Sequence, residues 1–124
     1  MKRITLLAFF CFLGVLSAQA QYQFTFKGTL AGKNITMHFY PDNNDGNVVG
    51  HYYYGDGSSG YLNFSGTAQP IPGGGFRQNL EERNTDGVVT GYFTGVLKNG
   101  VMSGTWVSTD GKRSYTYRLV LQKE

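Results

Sequence analysis

Along this chain apolar and polar residues alternate in short runs, and the runs are separated by pairs such as Asp-Gly and Asn-Gly. The segment DGVVTGYFTGVLKNGVMSGTW, Asp86 to Trp106, states the pattern twice. Asp86-Gly87 precedes Val88-Val89-Thr90-Gly91-Tyr92-Phe93, and Asn99-Gly100 precedes Val101-Met102-Ser103-Gly104-Thr105-Trp106. A third copy runs from Asp45-Gly46 through Asn47-Val48-Val49-Gly50-His51-Tyr52. Each opening pair tolerates the positive φ of a type I′ turn and so predicts a tight hairpin. The period of two that follows predicts strands. Val48, Gly50 and Tyr52 then share one face, as do Val89, Gly91 and Phe93, and Met102, Gly104 and Trp106. Thr90, Tyr92, Thr94, Ser103 and Thr105 take the opposite face.

The same pattern predicts eight strands, at roughly 22–30, 33–40, 47–54, 61–68, 75–83, 88–97, 101–107 and 114–121, with no sustained helical period. Their connections are short (Ala31-Gly32, PDNNDG, GDGSSG, PIPGGG, Asp86-Gly87, Asn99-Gly100 and STDGK), so sequential neighbours pair antiparallel. Two-residue turns at Asp86-Gly87 and Asn99-Gly100 align a row Leu80–Phe93–Trp106–Tyr115 across four strands and set Glu82 opposite Gly91. Eight strands in a meander leave two edges unless the sheet closes, so the expected fold is all-β: a single eight-stranded antiparallel up-and-down barrel. Inward glycines permit sharp coiling and leave room for a large side chain opposite.

The N-terminus departs from this pattern. Lys2 and Arg3 precede an apolar run from Ile4 to Leu16, and Ala18-Gln19-Ala20 follows. That order predicts a secretory signal peptide over residues 1–20, with the barrel domain at 21–124 and a mature chain starting at Gln21. Its removal changes the composition. Of the 11 basic residues two leave, so the net charge falls from +3 to +1, and no basic stripe remains to engage nucleic acid. The one cysteine, Cys11, leaves too, so an exported chain would carry no disulfide. This fits a protein of the bacterial cell envelope, periplasmic or extracellular, with no stable membrane insertion after cleavage.

DGNVVGHYYY followed by YLNFSGTA, and then VVTGYFTG and VMSGTWVS, resembles the strand pattern of the avidin family. The chain resembles still more closely a set of small exported bacterial barrel domains with GxVxGxY strands and a closing GTWxSxDGK. The avidin resemblance implies the meander barrel, with Tyr52 at the position of a biotin-contacting tyrosine and Trp106 at that of one binding-site tryptophan. Tyr54 stands where avidins place a small hydroxyl. The remaining tryptophans, the asparagine and serine of the first strand and the aspartate of the last are missing, so biotin binding is not implied.

Motifs for chemistry are sparse. GDGSSG matches a dinucleotide-binding spacing, but a strand follows where that motif needs a helix. PDNNDG has Pro41 where a calcium loop needs its first aspartate. Neither a nucleophile–base pair nor a metal set assembles, so no enzyme, cofactor or metal is expected. His38 and His51, outward on adjacent strands as diagonal neighbours, are two ligands where a catalytic zinc needs three.

Two groups remain. Twelve aromatic side chains face inward by parity: Tyr22, Phe24, Phe26, Phe39, Tyr52, Tyr54, Phe64, Phe76, Phe93, Trp106, Tyr115 and Tyr117. Among them Glu82 sits near one rim, and Gln78 points towards Gly95, Gly104 and Tyr117. A buried carboxylate needs partners, which Tyr52, Tyr54, Tyr115 and Tyr117 could provide. Either these groups satisfy one another, or Tyr52, Tyr54, Gln78, Glu82, Trp106 and Tyr117 orient a small polar ligand at one end of the barrel. Outside, His38, Tyr40, His51, Tyr53 and Tyr61 gather on the second to fourth strands, as a surface for a protein, a glycan or a second copy would. The expected function is non-enzymatic binding of a small ligand at the barrel end, or else of a macromolecule on the outer wall.

Overall fold

The computed structural model describes residues 23–42 and 46–123. The signal peptide expected at 1–20, the inward Tyr22 and Asp45 of the first turn lie outside the described residues. The rest forms eight strands: β1 Phe24–Leu30, β2 Lys33–Asp42, β3 Asn47–Tyr54, β4 Leu62–Pro70, β5 Phe76–Arg83, β6 Val89–Lys98, β7 Val101–Ser108 and β8 Ser114–Leu121. Each pairs antiparallel with the next, and β1 pairs with β8 through Phe26–Leu121, Gly28–Leu119 and Leu30–Tyr117, closing the barrel. Closure consumes both edges that a meander would otherwise expose.

Parity decides what is buried. Along β5, Phe76, Gln78, Leu80 and Glu82 are buried, and Arg77, Asn79 and Arg83 are exposed. The core holds Phe26, Phe39, Tyr52, Phe64, Phe93, Trp106 and Tyr117 with Leu30, Ile35, Met37, Leu80, Leu97, Met102 and Leu119, while Phe24 and Tyr54 pack partly against it. Its rings meet edge to face: Tyr52 on Phe93 at 5.5 Å and 88°, Phe93 on Tyr117 at 5.1 Å and 78°. Tyr115 departs from the expected burial. It pairs with Trp106 as predicted, but it stands at the barrel mouth and remains 39% exposed.

Ala31-Gly32 and Asn99-Gly100 are two-residue turns, with φ of 55° and 78° in each. Asp86-Gly87 is not one. Here Asn84 opens a longer loop: its side-chain oxygen accepts from the backbone N–H of Asp86 and of Val88, both at 3.0 Å, and Gly87 alone has positive φ. The register still runs Leu80–Phe93 and Glu82–Gly91, because the next pair is Arg83–Val89 and Thr90 becomes an extra residue on β6. A bulge of this kind re-aims the side chain it carries. Thr90, expected outward, turns its hydroxyl towards Glu82.

Candidate functional site

One end of the barrel, ringed by the 31–32, 55–61, 84–88 and 109–113 connections, carries most of the inner polar groups. Glu82 is 3% exposed and accepts three hydrogen bonds. The Tyr52 hydroxyl and the Trp106 indole N–H, the latter at 3.1 Å, donate to Oε1, and the Thr90 hydroxyl donates to Oε2 at 2.6 Å. Tyr54 meets Tyr52 edge to face, ring centroids 5.8 Å apart and 69° between planes, while the Tyr52 proton is directed at Glu82. Neutral donors to both oxygens offset the cost of burying the carboxyl group. Burial, with the Glu82 charge behind it, pushes the Tyr52 hydroxyl well above the ordinary phenol range, and burial likewise raises Tyr54.

Glycine makes the Trp106 contact possible. A Cβ at Gly91 would lie 2.5 Å from the indole Cε2 and Cζ2. Tyr115 stacks on the same indole, ring centroids 5.8 Å apart and 12° from parallel, and the Arg113 guanidinium sits 5.7 Å from its centroid.

Deeper, Gln78 pairs with Gly95, Gly95 with Gly104 and Gly104 with Tyr117, the row expected from parity. Gln78 Nε2 donates to the Tyr117 hydroxyl at 2.9 Å, and burial pushes that hydroxyl up to about 12. Gln78 is fully buried, and its Oε1 has no hydrogen-bond partner among the described residues.

The six inner candidates therefore form two networks. Tyr52, Tyr54, Glu82 and Trp106 are joined at the mouth, and Gln78 and Tyr117 below. Sequence reasoning missed Thr90, whose inward turn depends on the bulge. Tyr115 makes no hydrogen bond to Glu82; its role is to cover the indole.

On the opposite face of the sheet the five outer candidates are brought together. His38 lies directly across from His51 rather than diagonally, ring centroids 5.0 Å apart. The difference arises because β2 and β3 pair as far as Asp42–Asn47, two residues beyond the expected strand end. Tyr53 is 5.9 Å from His38, Tyr40 is 6.2 Å from His51, and Tyr61, half exposed, is 5.7 Å from His51. His38, Tyr40, His51 and Tyr53 are tilted by 30–37° to their neighbours, so the rings form one contiguous cluster. Gln23 Nε2 stands 3.0 Å and Thr25 Oγ1 3.3 Å from His38 Nδ1. With an amide N–H as partner, Nδ1 accepts and the ring proton sits on Nε2. Burial first, then His51 and Lys27, hold the His38 pKa below the ordinary imidazole value.

Among the described residues no three His, Cys, Asp or Glu side chains converge as a metal would require. Comparison of the chain with protein-family models, curated proteins and solved structures returns no match.

Proposed function

We propose that this protein is an exported, non-enzymatic barrel that binds its partner on the outer aromatic wall of β2 to β4. The observation that carries the reading is the unbroken ring contact among His38 and Tyr40 of β2, His51 and Tyr53 of β3 and Tyr61 in the connection just before β4. Aromatic residues with a polar edge are the side chains that dominate binding hot spots, since they offer area at little entropic cost. The N-terminal basic pair, apolar run and Ala-Gln-Ala support export to the cell envelope. The inner acidic group supports the reading indirectly, because its oxygens are already taken by Tyr52, Trp106 and Thr90.

The test is Tyr53→Ser combined with Tyr61→Ser. The fold should survive, because both rings are on the outer face, and self-association by sedimentation and retention on cell-envelope material should both be compared. Loss of either relative to wild type supports the outer wall as the binding surface. Identical behaviour in both assays removes it.

The unpartnered Oε1 of Gln78, with half-open Tyr54 and Tyr115 at the mouth, favours a second reading. In it a small polar ligand enters at the Glu82 end, held by Tyr52, Tyr54, Gln78, Glu82, Trp106 and Tyr117. A metabolite screen by thermal shift, repeated on Glu82→Gln, tests it. A ligand whose stabilisation disappears in that variant supports the inner site, and shifts equal in both proteins remove it.

A further inference from the structure

We propose that the occupant of the outer wall is an uncharged polysaccharide laid along the aromatic cluster. This rests on the reading of that wall as the binding surface and adds the chemical class of what it binds.

Charge narrows the field first. On the outward positions of β1 to β4 the described side chains are threonines, asparagines, serine, glutamine, Val49 and the ring cluster, with Lys27 as the single formal charge. A polyanion such as nucleic acid or an acidic glycan would be held by several lysines or arginines releasing counterions, and the described outward side chains of β1 to β4 do not include them. A cationic partner would need carboxylates, which those described side chains do not include. The described part of the surface complements a neutral ligand.

Apolar content narrows it further. A stable protein interface buries roughly 800 Å² on each partner, with a fully desolvated and more apolar centre. Here Val49 is the only aliphatic side chain, and every ring carries a hydroxyl or a ring nitrogen at its edge. Such a wall suits a ligand that is apolar on its faces and polar all round its rim, which describes a sugar ring. Its face presents C–H groups with partial positive charge to the negative π-face of an aromatic side chain. Its hydroxyls then meet the surrounding donors and acceptors: the Nε2–H of His38, the tyrosine hydroxyls, and Asn63 opposite His51.

Length points to a polymer. From Val49 to Tyr53 the cluster follows five residues of β3, about 13 Å at the strand rise, and in width it covers β2, β3 and Tyr61 at the start of β4. That is room for consecutive rings of a chain.

Affinity electrophoresis in gels containing hydroxyethyl cellulose or dextran, and co-sedimentation with insoluble cellulose, chitin and curdlan, test the proposal. Alginate serves as the polyanion. Retention by at least one neutral polymer, insensitive to salt and weakened about tenfold or more by Tyr53→Ser with Tyr61→Ser, supports it. Tyr61→Ser alone, at the most exposed ring, decides the matter if the double variant does not fold. Retention by alginate only, abolished by salt, overturns it. No retention by any neutral polymer, with self-association that the same substitutions abolish, overturns the glycan while leaving the outer wall as an interface between copies. Neutral-polymer retention that no wall substitution affects overturns both this inference and the reading beneath it.

Discussion

The indole of Trp106 lies across Gly91, and only the missing side chain at position 91 lets Nε1 reach Glu82. The repeated glycine thus has different work in different copies of the motif. At Gly91 it admits an indole, at Gly50 the His38 carbonyl and the Phe64 ring, and at Gly104 the close backbone approach of Thr94 and Gly95. Gly91→Ala places a methyl group within 2.5–2.6 Å of three indole atoms. Overpacking of this kind costs about 1–3 kcal/mol, measured as a lower denaturation midpoint. Trp106 is the only tryptophan, so its emission reports the displacement directly. An unchanged midpoint with an unchanged spectrum would refute the contact.

Glu82→Gln and Glu82→Met should differ sharply. The amide can keep its oxygen towards Tyr52 and Trp106 and donate its N–H to Thr90, whose proton can turn to the Glu82 carbonyl oxygen 3.4 Å away. The loss is that of charge assistance, about 1 kcal/mol. Methionine of similar length leaves the Tyr52 and Trp106 donors buried without an acceptor, at about 1–3 kcal/mol each. Equal unfolding free energies for the two variants would show that the network contributes nothing.

Much of this site was legible in the residue order, and the failures have three physical origins. Parity accumulates along a strand, so the rows through Leu80 and Gln78 followed once the turns were placed. A bulge breaks parity, and it depends on the loop that feeds the strand. The signal for it was Asn84, which caps its own loop through two backbone N–H groups, and not the more conspicuous Asp86-Gly87. Tyr115 shows a second limit: alternation specifies which face a side chain takes but not its depth along the barrel axis. The His38–His51 pairing shows a third. Register between two strands depends on where pairing stops, and Pro41 reads as a strand end although it pairs with Val48.

Gln78 and Tyr117 form a buried pair that can be removed without cost only as a pair. Tyr117→Phe leaves Gln78 with neither amide atom satisfied and should cost about 1–3 kcal/mol. Gln78→Met should likewise strand the Tyr117 hydroxyl. The double variant should be less destabilised than the sum of the singles, with a coupling of about 0.5–3 kcal/mol in a double-mutant cycle. Strict additivity would refute a direct interaction.

Ala31 and Asn99 occupy equivalent positions in two-residue turns, both at φ 55°. Alanine is poorly suited to that left-handed conformation, and asparagine tolerates it. Ala31→Asn should therefore stabilise the fold, by about 0.5–1 kcal/mol, with no change in secondary structure by circular dichroism. A loss of stability would mean that the 31–32 hairpin depends on the methyl group.

Alkaline pH should unfold the barrel, and the sign follows from its buried phenols. Tyr52, Tyr54 and Tyr117 all have hydroxyls raised above the ordinary value, each chiefly by burial, and Tyr117 reaches about 12. In the unfolded chain a tyrosine loses its proton near pH 10, whereas the folded barrel keeps it to higher pH. Above about pH 10 the folded state then binds more protons than the unfolded one, so stability falls as pH rises. The stabilising contribution is fully present below about pH 10 and for Tyr117 is lost progressively up to about 12. Unfolding free energy measured by denaturant at a series of pH values should be unaffected by these groups below the first limit and fall above it. Removing one such group isolates its share: Tyr117→Phe should lessen the slope in that window by up to about 1.4 kcal/mol per pH unit, although the variant is less stable at neutral pH. A wild-type profile flat to pH 11 would mean that the hydroxyls titrate as freely in the barrel as outside it, and their burial would have to be abandoned.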